Sequence, residues 1–285
     1  MVAVLPLDAL LITNHEYCLE QVKMAWSNLS DYAGKCGEGS SIYSGHRLTT
    51  FRPDRLRGVA YNGNTTVYIS TARKMATINI ETDMTNLLTT SIRVFYQIYY
   101  DSEERAVFTV FNQGFGKLDP ENGQSVEYYY RAGDSVGDFS VSKSSEAMGL
   151  ARLEKSVWIM AEFLNHRLVL KIAFEQPLNN SNIKQTTKIE DRRVRNANIS
   201  SKTENRKHYS LFHATSSLRS VYFRLTILDL DGSNTVAVCT KRTKSSFAEG
   251  NMSSCALHQP VAVGCMDGVV YVGQLGALVS MEGKC

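Results

Sequence analysis

The stretch LRSVYFRLTIL, residues 218–228, alternates apolar and polar side chains with a period of two. A β-strand turns successive side chains to opposite faces, so this alternation is typical of a strand with one covered face. The apolar set is Val221, Phe223, Leu225 and Ile227, and the opposed set is Ser220, Tyr222, Arg224 and Thr226. The stretch therefore predicts a β-strand.

The same kind of pattern recurs along most of the chain after residue 42. In SIRVFYQIYY, residues 91–100, alternate positions carry Ile92, Val94, Tyr96, Ile98 and Tyr100. Further strand-like runs are TTVYIS (65–70), ATINIE (76–81), AVFTVF (106–111), SVEYYY (125–130), LVLKIAF (168–174), TVAVCT (235–240), PVAVG (260–264) and GVVYVG (268–273). Turn signals such as YNGN, DPENG and LDGSN stand between the runs, as hairpins require. We therefore predict a mainly β protein with sandwich or jelly-roll-like antiparallel sheets.

The first residues show a helical period instead. Thr13 and Glu16 have the spacing of a helix capping box, and Gly34 suits the end of a helix. Between them, apolar residues recur at helical spacing, namely Cys18, Val22, Ala25, Trp26, Leu29 and Tyr32. We predict an N-terminal arm and amphipathic helix over residues 1–36. Its apolar stripe would pack on the protein's own core or on a neighbouring subunit.

Composition divides the rest of the chain into three parts. Residues 37–177 are predicted to form a β-rich domain. Residues 178–208 contain too little apolar surface to offset the entropy of ordering them, so they are predicted to be a basic polar loop or linker. Residues 209–285 would complete the same β-domain or form a second one. Residues 145–165 fit a helix or a hairpin equally well.

Positive charge is concentrated in the polar segment. The chain has a net charge of +3, whereas residues 184–207 contain eight basic and three acidic residues, a local net of +5 against −2 for the remainder. Guanidinium and ammonium groups bind phosphate, and such binding releases counterions. The candidate anion-binding residues are Lys188, Arg192, Arg193, Arg195, Lys202, Arg206 and Lys207, with a second patch of Arg52, Arg55 and Arg57. The expected partner is nucleic acid or an anionic membrane surface, and the alternative is a solvated loop that binds nothing specific.

Familiar catalytic signatures are absent from the sequence. It contains no G-x-S-x-G elbow, no phosphate-binding loop and no H-E-x-x-H helix. His46 and His213 stand beside hydroxyl residues, but the sequence places no acid near either one. We therefore predict a non-enzymatic protein without cofactor, metal or small-molecule substrate. An enzyme would need one of these histidines to meet an acid in the fold.

Six cysteines stand at positions 18, 36, 239, 255, 265 and 285. In a chain of this length with no recognisable secretory signal, reduced thiols are the default expectation. A zinc site formed by Cys239, Cys255, His258 and Cys265 is a weaker alternative, because a second tight pair of ligands is missing. Structural disulfides are a further alternative.

Five Asn-x-Ser/Thr triplets have the form of glycan acceptors, and they begin at Asn28, Asn64, Asn179, Asn198 and Asn251. In secreted proteins such triplets mark surface loops. A competing prediction follows: a secreted, glycosylated adhesion or carbohydrate-binding module. It expects added mass at the triplets and disulfides among Cys239, Cys255, Cys265 and Cys285.

The stretch INIETDMTNLLTTSIRVFYQIYYDSEER, residues 78–105, resembles the core of viral 30K-type movement proteins, in which a strand, a loop and a second strand lead to an aspartate. Asp101 takes the place of that aspartate here. The resemblance implies a β-sandwich protein that binds nucleic acid at cell junctions. The general profile also resembles β-rich viral matrix proteins.

These features together predict a non-enzymatic assembly or binding protein that meets an anionic partner through its basic loop. A viral matrix-like, capsid-like or movement-type protein is one form of it. Homo-oligomerisation is expected, because the helix stripe and the strand edges offer surfaces for it. No apolar run reaches the roughly 18 to 20 residues of a membrane-spanning helix. We expect an intracellular protein of the cytoplasm or nucleus, or one associated with a virion or membrane, and secretion belongs to the competing prediction.

Overall fold

The computed structural model contains strands, turns and bends, and no helix among the residues that it describes. These residues are 2–5, 9–13, 17–23, 29–90, 95–111, 114–119, 126–131, 135–136, 139–140, 146–154, 157–163, 168–174, 183–191, 194–201, 207–216, 220–229, 235–238, 255, 257, 260–266, 269–274 and 277–282. The prediction of a mainly β protein with antiparallel sheets is confirmed. No helix in this part of the chain is long and apolar enough to cross a membrane.

The chain divides into two compact units, Met1–Tyr128 and Tyr129–Cys285. The strands that begin in the first unit are β1 (Val2–Leu5), β2 (Ala9–Thr13), β3 (Cys18–Lys23), β4 (Leu29–Gly34), β5 (Gly45–His46), β6 (Gly58–Tyr61), β7 (Thr66–Ser70), β8 (Lys74–Asn79), β9 (Met84–Thr90), β10 (Phe95–Asp101), β11 (Ala106–Phe111), β12 (Gly114–Leu118) and β13 (Val126–Arg131). Those of the second unit are β14 (Ser135–Val136), β15 (Phe139–Ser140), β16 (Glu146–Glu154), β17 (Val157–Phe163), β18 (Leu168–Phe174), β19 (Ile183–Asp191), β20 (Val194–Ser201), β21 (Lys207–Ser216), β22 (Ser220–Asp229), β23 (Thr235–Val238), β24 (Pro260–Met266), β25 (Val269–Gln274) and β26 (Ala277–Glu282).

Nearly every described strand pairs with its neighbour in the chain. The four-stranded sheets run β1-β2-β3-β4, β10-β11-β12-β13, β16-β17-β18-β19 and β20-β21-β22-β23, and the smaller ones are β14-β15 and β24-β25-β26. The five-stranded sheet has the order β5-β9-β8-β7-β6, in which only β5 departs from chain order. A jelly roll joins strands that are distant in sequence, whereas consecutive four-stranded meanders are also the repeat unit of β-propellers. The sheet order therefore favours repetition of one simple unit.

The predicted N-terminal helix is not confirmed, because the described residues of the segment 1–36 form β1 to β4. Cys18 and Val22, two members of the predicted helical stripe, both lie buried on β3. Positions four apart share a face in a strand as well as in a helix, so the pattern fits both structures. Because β3 pairs with both β2 and β4, this segment is a strand and not a helix. Ala25 and Trp26 lie outside the described residues.

The described residues of the segment 145–165 form strands β16 and β17, which agrees with the hairpin alternative and not with the helix. β16 pairs with β17, where Leu150 lies opposite Met160. β17 in turn pairs with β18, where Trp158 lies opposite Ile172. The residues near Glu146 that fitted a helix are thus part of a sheet.

Strands also occupy much of residues 178–208, the predicted basic loop. β19 pairs with β18, where Thr186 lies opposite Ile172, and β20 pairs with β21. Because β19 and β20 belong to different sheets, residues 192–193 join one sheet to the next along the chain. The single division between the two compact units falls at residues 128–129.

The five-stranded sheet of the first unit is covered on both faces. β7 contributes Val67 and Ile69 to one buried cluster and Tyr68 to another. β6 divides in the same way, with Val59 in the first cluster and Ala60 in the second. A sheet buried on both faces requires nearly continuous apolar runs, which is what TVYIS supplies. Polar chemistry in this unit is therefore carried by loops and sheet edges.

Candidate functional site

The predicted anion-binding residues of the second unit lie on or between strands β19, β20 and β21. Lys188 is on β19, and Lys207 begins β21 at the register position opposite Asp229. Arg192, Arg193, Lys202 and Arg206 lie outside the described residues. The charge-rich part of the sequence is therefore distributed over two sheets and their connections.

Arg195 is the predicted anion-binding residue at which the strand pairing is irregular. The pairing of β20 with β21 shifts register between Val194 and Asn196, so Arg195 is the extra residue of a β-bulge. In the sequence it follows Arg192 and Arg193, which stand between β19 and β20. The chain thus places three arginines within four positions at the passage from one sheet to the next.

Arg52, from the second predicted patch, is held by the protein itself. Its Nε lies 3.5 Å from Oε2 of Glu38, and its Nη1 donates to the carbonyls of Leu48 at 3.2 Å and Phe51 at 2.8 Å. The hydrogen bond from Lys35 is the main cause that lowers the pKa of Glu38, and the charges of Lys35 and Arg52 lower it further. A guanidinium with these partners retains few donors for a phosphate. Arg52 is therefore a structural residue.

Arg55 and Arg57 differ from each other in their exposure to solvent. The side chain of Arg55 is exposed. Arg57 is half-buried, and its backbone N–H donates to the carbonyl of Ser70 at 2.7 Å, which ties it to the end of β7. Of the three arginines in this patch, Arg55 is the one that the structure leaves exposed to an anion.

Tyr43, which lies between β4 and β5, is the centre of a hydrogen-bond network that reaches the turn between β7 and β8. Its hydroxyl lies 2.9 Å from Oδ2 of Asp54 and 3.1 Å from Oγ1 of Thr71. The hydroxyl of Ser41 donates to Oδ1 of Asp54 at 2.7 Å. Nζ of Lys74 lies 4.4 Å from the centre of the Tyr43 ring, in a cation–π contact. Sequence reasoning missed this network, because no local pattern relates residues that are 28 positions apart.

Burial determines what this network can do. Tyr43 is 5% exposed, and desolvation is the main cause that raises its pKa to about 12. The phenol therefore stays protonated at neutral pH and donates to Asp54. Ser41 contacts the same carboxylate without an activating imidazole or amine in the contacts described, so the arrangement lacks the nucleophile–base pair of covalent catalysis. Its evident role is to fix the segment 41–54, which contains β5, to the turn after β7.

Arg47 is a second structural centre that the sequence did not indicate. Its Nε contacts Oδ1 of Asp83, and its Nη1 donates to the carbonyl of Tyr32. The guanidinium carbon lies 4.4 Å from the centre of the Tyr32 ring. Burial raises the pKa of Tyr32, which the nearby Arg47 charge opposes. One side chain thus joins β4 to the turn between β8 and β9.

The two histidines that an enzyme would have needed are both on strands. His46 is the last residue of β5, and its Nδ1 accepts the backbone N–H of Leu48 at 3.3 Å. None of the ion pairs found among the described residues includes His46. His213 lies on β21 opposite Phe223. The described geometry therefore brings no carboxylate into an ion pair with His46.

Cysteines in both units are oxidised. Cys18 and Cys36 form a disulfide with their Cα atoms 4.8 Å apart, and Cys255 is also disulfide-bonded. The prediction of reduced thiols is therefore wrong for these three residues, and Cys255 has no thiolate to offer to the zinc site considered above. Sequence spacing could not reveal the first pair. It arises because β3 pairs with β4 and sets Cys18 opposite Gly34, two positions before Cys36.

Two carboxylates stand beside this disulfide. One potential ligand atom from each of Cys18, Glu20, Asp31 and Cys36 lies within 4.8 Å of the others. Sγ of Cys36 is 3.4 Å from Oδ1 of Asp31. Because the sulfurs are bonded to each other, only the two carboxylates remain as ligands, fewer than structural zinc or calcium sites use. We do not assign a metal centre here.

β9 is covered on one side by only the two-residue strand β5. β5 pairs with it only through Met84 and Thr85, so in the described part of the chain residues 86–90 have no strand partner on that side. Met84 is 41% exposed and Leu87 is 44% exposed. The strand sequence MTNLLTT contains no charge and no proline, the usual protections of a sheet edge. The edge of residues 86–90 is uncharged and suited to strand addition.

Comparisons with known proteins identify a fold and no family. No family model matches the chain, and no curated protein matches it. Hydrazine synthase from Kuenenia stuttgartiensis is similar with a TM-score of 0.61 at 9% identity, over 99% of this chain and 76% of that chain. An auxiliary nutrient binding protein from Bacteroides thetaiotaomicron VPI-5482 is similar with a TM-score of 0.64 at 9% identity, over 96% of this chain and 66% of that chain. At this level of identity the likeness shows the fold alone, and the same strand architecture occurs in an enzyme and in a binding protein.

Proposed function

We propose that this protein is a non-enzymatic binding module of an oxidising compartment, in which a disulfide-bonded β scaffold carries loops and sheet edges that recognise a partner. The disulfide between Cys18 and Cys36 is the observation that carries the proposal. Disulfides persist in secreted and extracellular proteins and are rare in the cytosol. The disulfide favours a secreted adhesion or carbohydrate-binding module over an intracellular protein.

Two of the three bonded cysteines are buried and Cys36 is partly exposed, which supports a structural rather than a catalytic disulfide. Cys18 is 0% exposed, and the bonded Cys255 of the second unit is 5% exposed. Labile, regulatory and catalytic disulfides are typically exposed or strained. Each unit therefore contains a buried oxidised cysteine, as expected for a protein that folds under oxidising conditions.

The fold comparison supports binding only by analogy. One of the similar structures is named a nutrient binding protein, and the chain spans about two thirds of that protein's length. Similar folds carry unrelated functions, so this likeness adds weight to a binding role without choosing a ligand. The predicted viral matrix-like, capsid-like or movement-type role stays a prediction.

Thiol labelling tests the compartment. Cells that naturally make the protein, together with their medium, are quenched with an alkylating reagent before lysis. The peptides that contain Cys18 and Cys36 are then analysed before and after reduction. We expect a disulfide-linked pair of peptides before reduction. Recovery of both residues as alkylated thiols would contradict the proposal, and quenching before lysis excludes a disulfide formed during purification.

We propose further that the partner is anionic and that Arg192, Arg193 and Arg195 contact it. In the sequence Arg192 and Arg193 come between β19 and β20, and Arg195 lies at a bulge in the pairing of β20 with β21. Guanidinium groups make paired hydrogen bonds to phosphate or sulfate. Nucleic acid and anionic membranes remain the predicted partners, and in a secreted protein a sulfated polysaccharide offers the same chemistry.

A salt series tests this contact. The intact protein and a variant with Arg192→Ser, Arg193→Ser and Arg195→Ser are compared for binding to duplex DNA, to anionic liposomes and to a sulfated polysaccharide. Loss of three phosphate contacts would reduce the slope of log affinity against log salt by about 2 to 3. A matched control replaces Lys35, Arg73 and Arg105, three exposed cations of the first unit, with Ser. Equal slopes for the two variants would contradict the proposal that Arg192, Arg193 and Arg195 contact the anionic partner.

We propose that self-association, if the partner is a second copy, uses the exposed edge of β9. Two identical edges can pair antiparallel. Because the sequence MTNLLTT has no charged residue, such pairing would bring no like charges together. Light scattering over a concentration series measures the oligomeric state. We expect a dimer that Leu87→Lys converts to a monomer, whereas Thr90→Lys at the end of the strand weakens it less. A monomer at all concentrations would contradict this proposal.

A further inference from the structure

The turn between β6 and β7 holds the backbone of one asparagine firmly while its side chain points to no partner. The backbone N–H of Asn64 donates to Oδ1 of Asn62 at 2.9 Å, and its carbonyl accepts the hydroxyl of Tyr61. Oδ1 of Asn62 also accepts the N–H of Thr66 at 3.0 Å. Gly63 supplies the left-handed conformation of the turn with a φ of 80°. The turn is therefore well fixed at its tip.

The side chain of Asn64 is exposed, and among the described residues its amide takes part in no hydrogen bond. Neighbouring asparagines behave differently, since Asn62 and Asn79 both use Oδ1 to accept backbone N–H groups. The space around the tip is open, because a Cβ placed on Gly63 would have nothing within 4 Å. A bulky group on Asn64 would thus meet solvent and not the sheet.

We propose that Asn64 carries an N-linked glycan. Asn64, Thr65 and Thr66 form an acceptor triplet, and such triplets are glycosylated on the surface loops of secreted proteins. The inference rests on the proposed function, because glycan transfer and disulfide formation belong to the same secretory route. The exposed tip of a hairpin accommodates the modification without disturbing the pairing of β6 with β7.

The transfer itself is a substitution at an anomeric carbon. Nδ2 of Asn64 forms a bond to the anomeric carbon of an oligosaccharide that is linked to a lipid diphosphate. The bond from that carbon to the phosphate oxygen breaks, its electron pair leaves with the lipid diphosphate, and the amide nitrogen loses one proton. Neither an oxidant nor a reductant takes part.

The fold distinguishes Asn64 from the other four triplets. Asn198 lies within β20 opposite Leu211, so its backbone is part of a ladder. Asn28, Asn179 and Asn251 lie outside the described residues. Asn64 is therefore the triplet for which the structure combines a turn, exposure and a free side-chain amide.

Peptide mapping tests the proposal. The full chain is produced in eukaryotic cells behind a secretory leader, and the peptide that contains Asn64 is analysed before and after treatment with the amidase that releases N-linked glycans and leaves aspartate. We expect a glycopeptide before treatment and Asp at position 64 afterwards. Asn64→Gln and Thr66→Val should abolish the modification, whereas Thr66→Ser should retain it. Valine keeps the β-branched shape that suits the start of β7 but lacks the hydroxyl. Loss in the valine variant with retention in the serine variant therefore identifies the hydroxyl requirement of the acceptor.

The possible outcomes separate this inference from the proposed function. An unmodified Asn64 in secreted protein whose Cys18–Cys36 disulfide is intact overturns the glycan and leaves the proposed function standing. An unmodified Asn64 together with free thiols at Cys18 and Cys36 overturns both. Mass that persists on the peptide in Thr66→Val shows a modification of another kind and also overturns the glycan.

Discussion

The hydroxyl of Tyr43 lies 2.9 Å from Oδ2 of Asp54, and the same hydroxyl lies 3.1 Å from Oγ1 of Thr71. The hydroxyl of Tyr43 therefore joins the two ends of the segment 41–54, which contains β5. It also joins this segment to the turn that follows β7. Since Tyr43 belongs to the buried cluster that contains Val67 and Ile69, this polar contact sits against the apolar core.

Removal of the hydroxyl should lower the stability of the fold. Tyr43→Phe deprives Asp54 and Thr71 of a partner, so we expect the free energy of unfolding to fall by about 1 to 2 kcal/mol. Urea unfolding followed by circular dichroism measures the change. Ser41→Ala is the matched control, because it removes an exposed hydrogen bond to the other oxygen of the same carboxylate and should cost roughly half as much or less. A larger loss in the control would contradict the central role of Tyr43.

The same residue should make the protein sensitive to alkaline pH. Burial raises the folded-state pKa of Tyr43 from 10.0 to about 12. Between these values the unfolded chain gives up a proton that the folded chain keeps, so the stabilisation is complete below about pH 10 and is lost as the pH rises toward 12. The loss for one such group is about 1.4 kcal/mol per pH unit. Unfolding at about pH 8 and about pH 11 should show a steeper decline for the natural chain than for Tyr43→Phe, and parallel declines would argue against it.

Arg52 and Arg55 should respond differently to the same substitution. Arg52→Ala removes an ion pair to Glu38 and two hydrogen bonds to carbonyls, so we expect a loss of about 1 to 2 kcal/mol in the free energy of unfolding. Arg55→Ala removes an exposed side chain and should change stability by about 0.5 kcal/mol or less. Urea unfolding of the two variants decides the matter. Similar values would mean that the contacts of Arg52 contribute little.

Loss of the disulfide between Cys18 and Cys36 should destabilise the first unit. The crosslink closes a separation of 18 residues, and a loop of about this length contributes about 3 kcal/mol through the entropy of the unfolded chain. We expect this loss in Cys36→Ser, measured by urea unfolding without reductant. Cys18→Ala with Cys36→Ser should lose slightly more, because Cys18 is also packed in the core. A single variant as stable as the natural chain would contradict the structural role.

Strand formation was predictable because its signal is local. The alternation in TTVYIS and AVFTVF predicted β7 and β11, and the turn signal YNGN predicted the hairpin between β6 and β7. The faces were less predictable. β10 was expected to have one covered face, but the consecutive residues Gln97 and Ile98 are both buried, and the pairing of β10 with β11 shifts register between Phe95 and Ile98.

Errors arose where distant partners decide the structure. Cys18 and Val22 fit a helix or a strand, and only pairing with β2 and β4 chooses between them. β19 is polar along much of its length, yet it forms the last strand of its sheet, where a covered face is not required. The sheets repeat one simple order although the sequence shows no internal repeat, because sheet order depends on chain path and not on identical side chains.

The candidate site was predictable in composition but not in geometry. Counting charges identified Arg192, Arg193 and Arg195, and the bulge at Arg195 became visible only from the pairing of β20 with β21. Counting charges also included Arg52, which the fold engages with Glu38. Charge alone cannot distinguish an arginine that binds a partner from one that satisfies neighbouring carbonyls.

The disulfide between Cys18 and Cys36 also keeps the chain in one piece after a cut of the backbone between them. A protease that cuts the backbone anywhere between these residues would open a loop, but the two fragments would remain one covalent molecule. β3 and β4 could then stay paired across the cut. A nicked protein of this kind would migrate as an intact chain until it met a reductant.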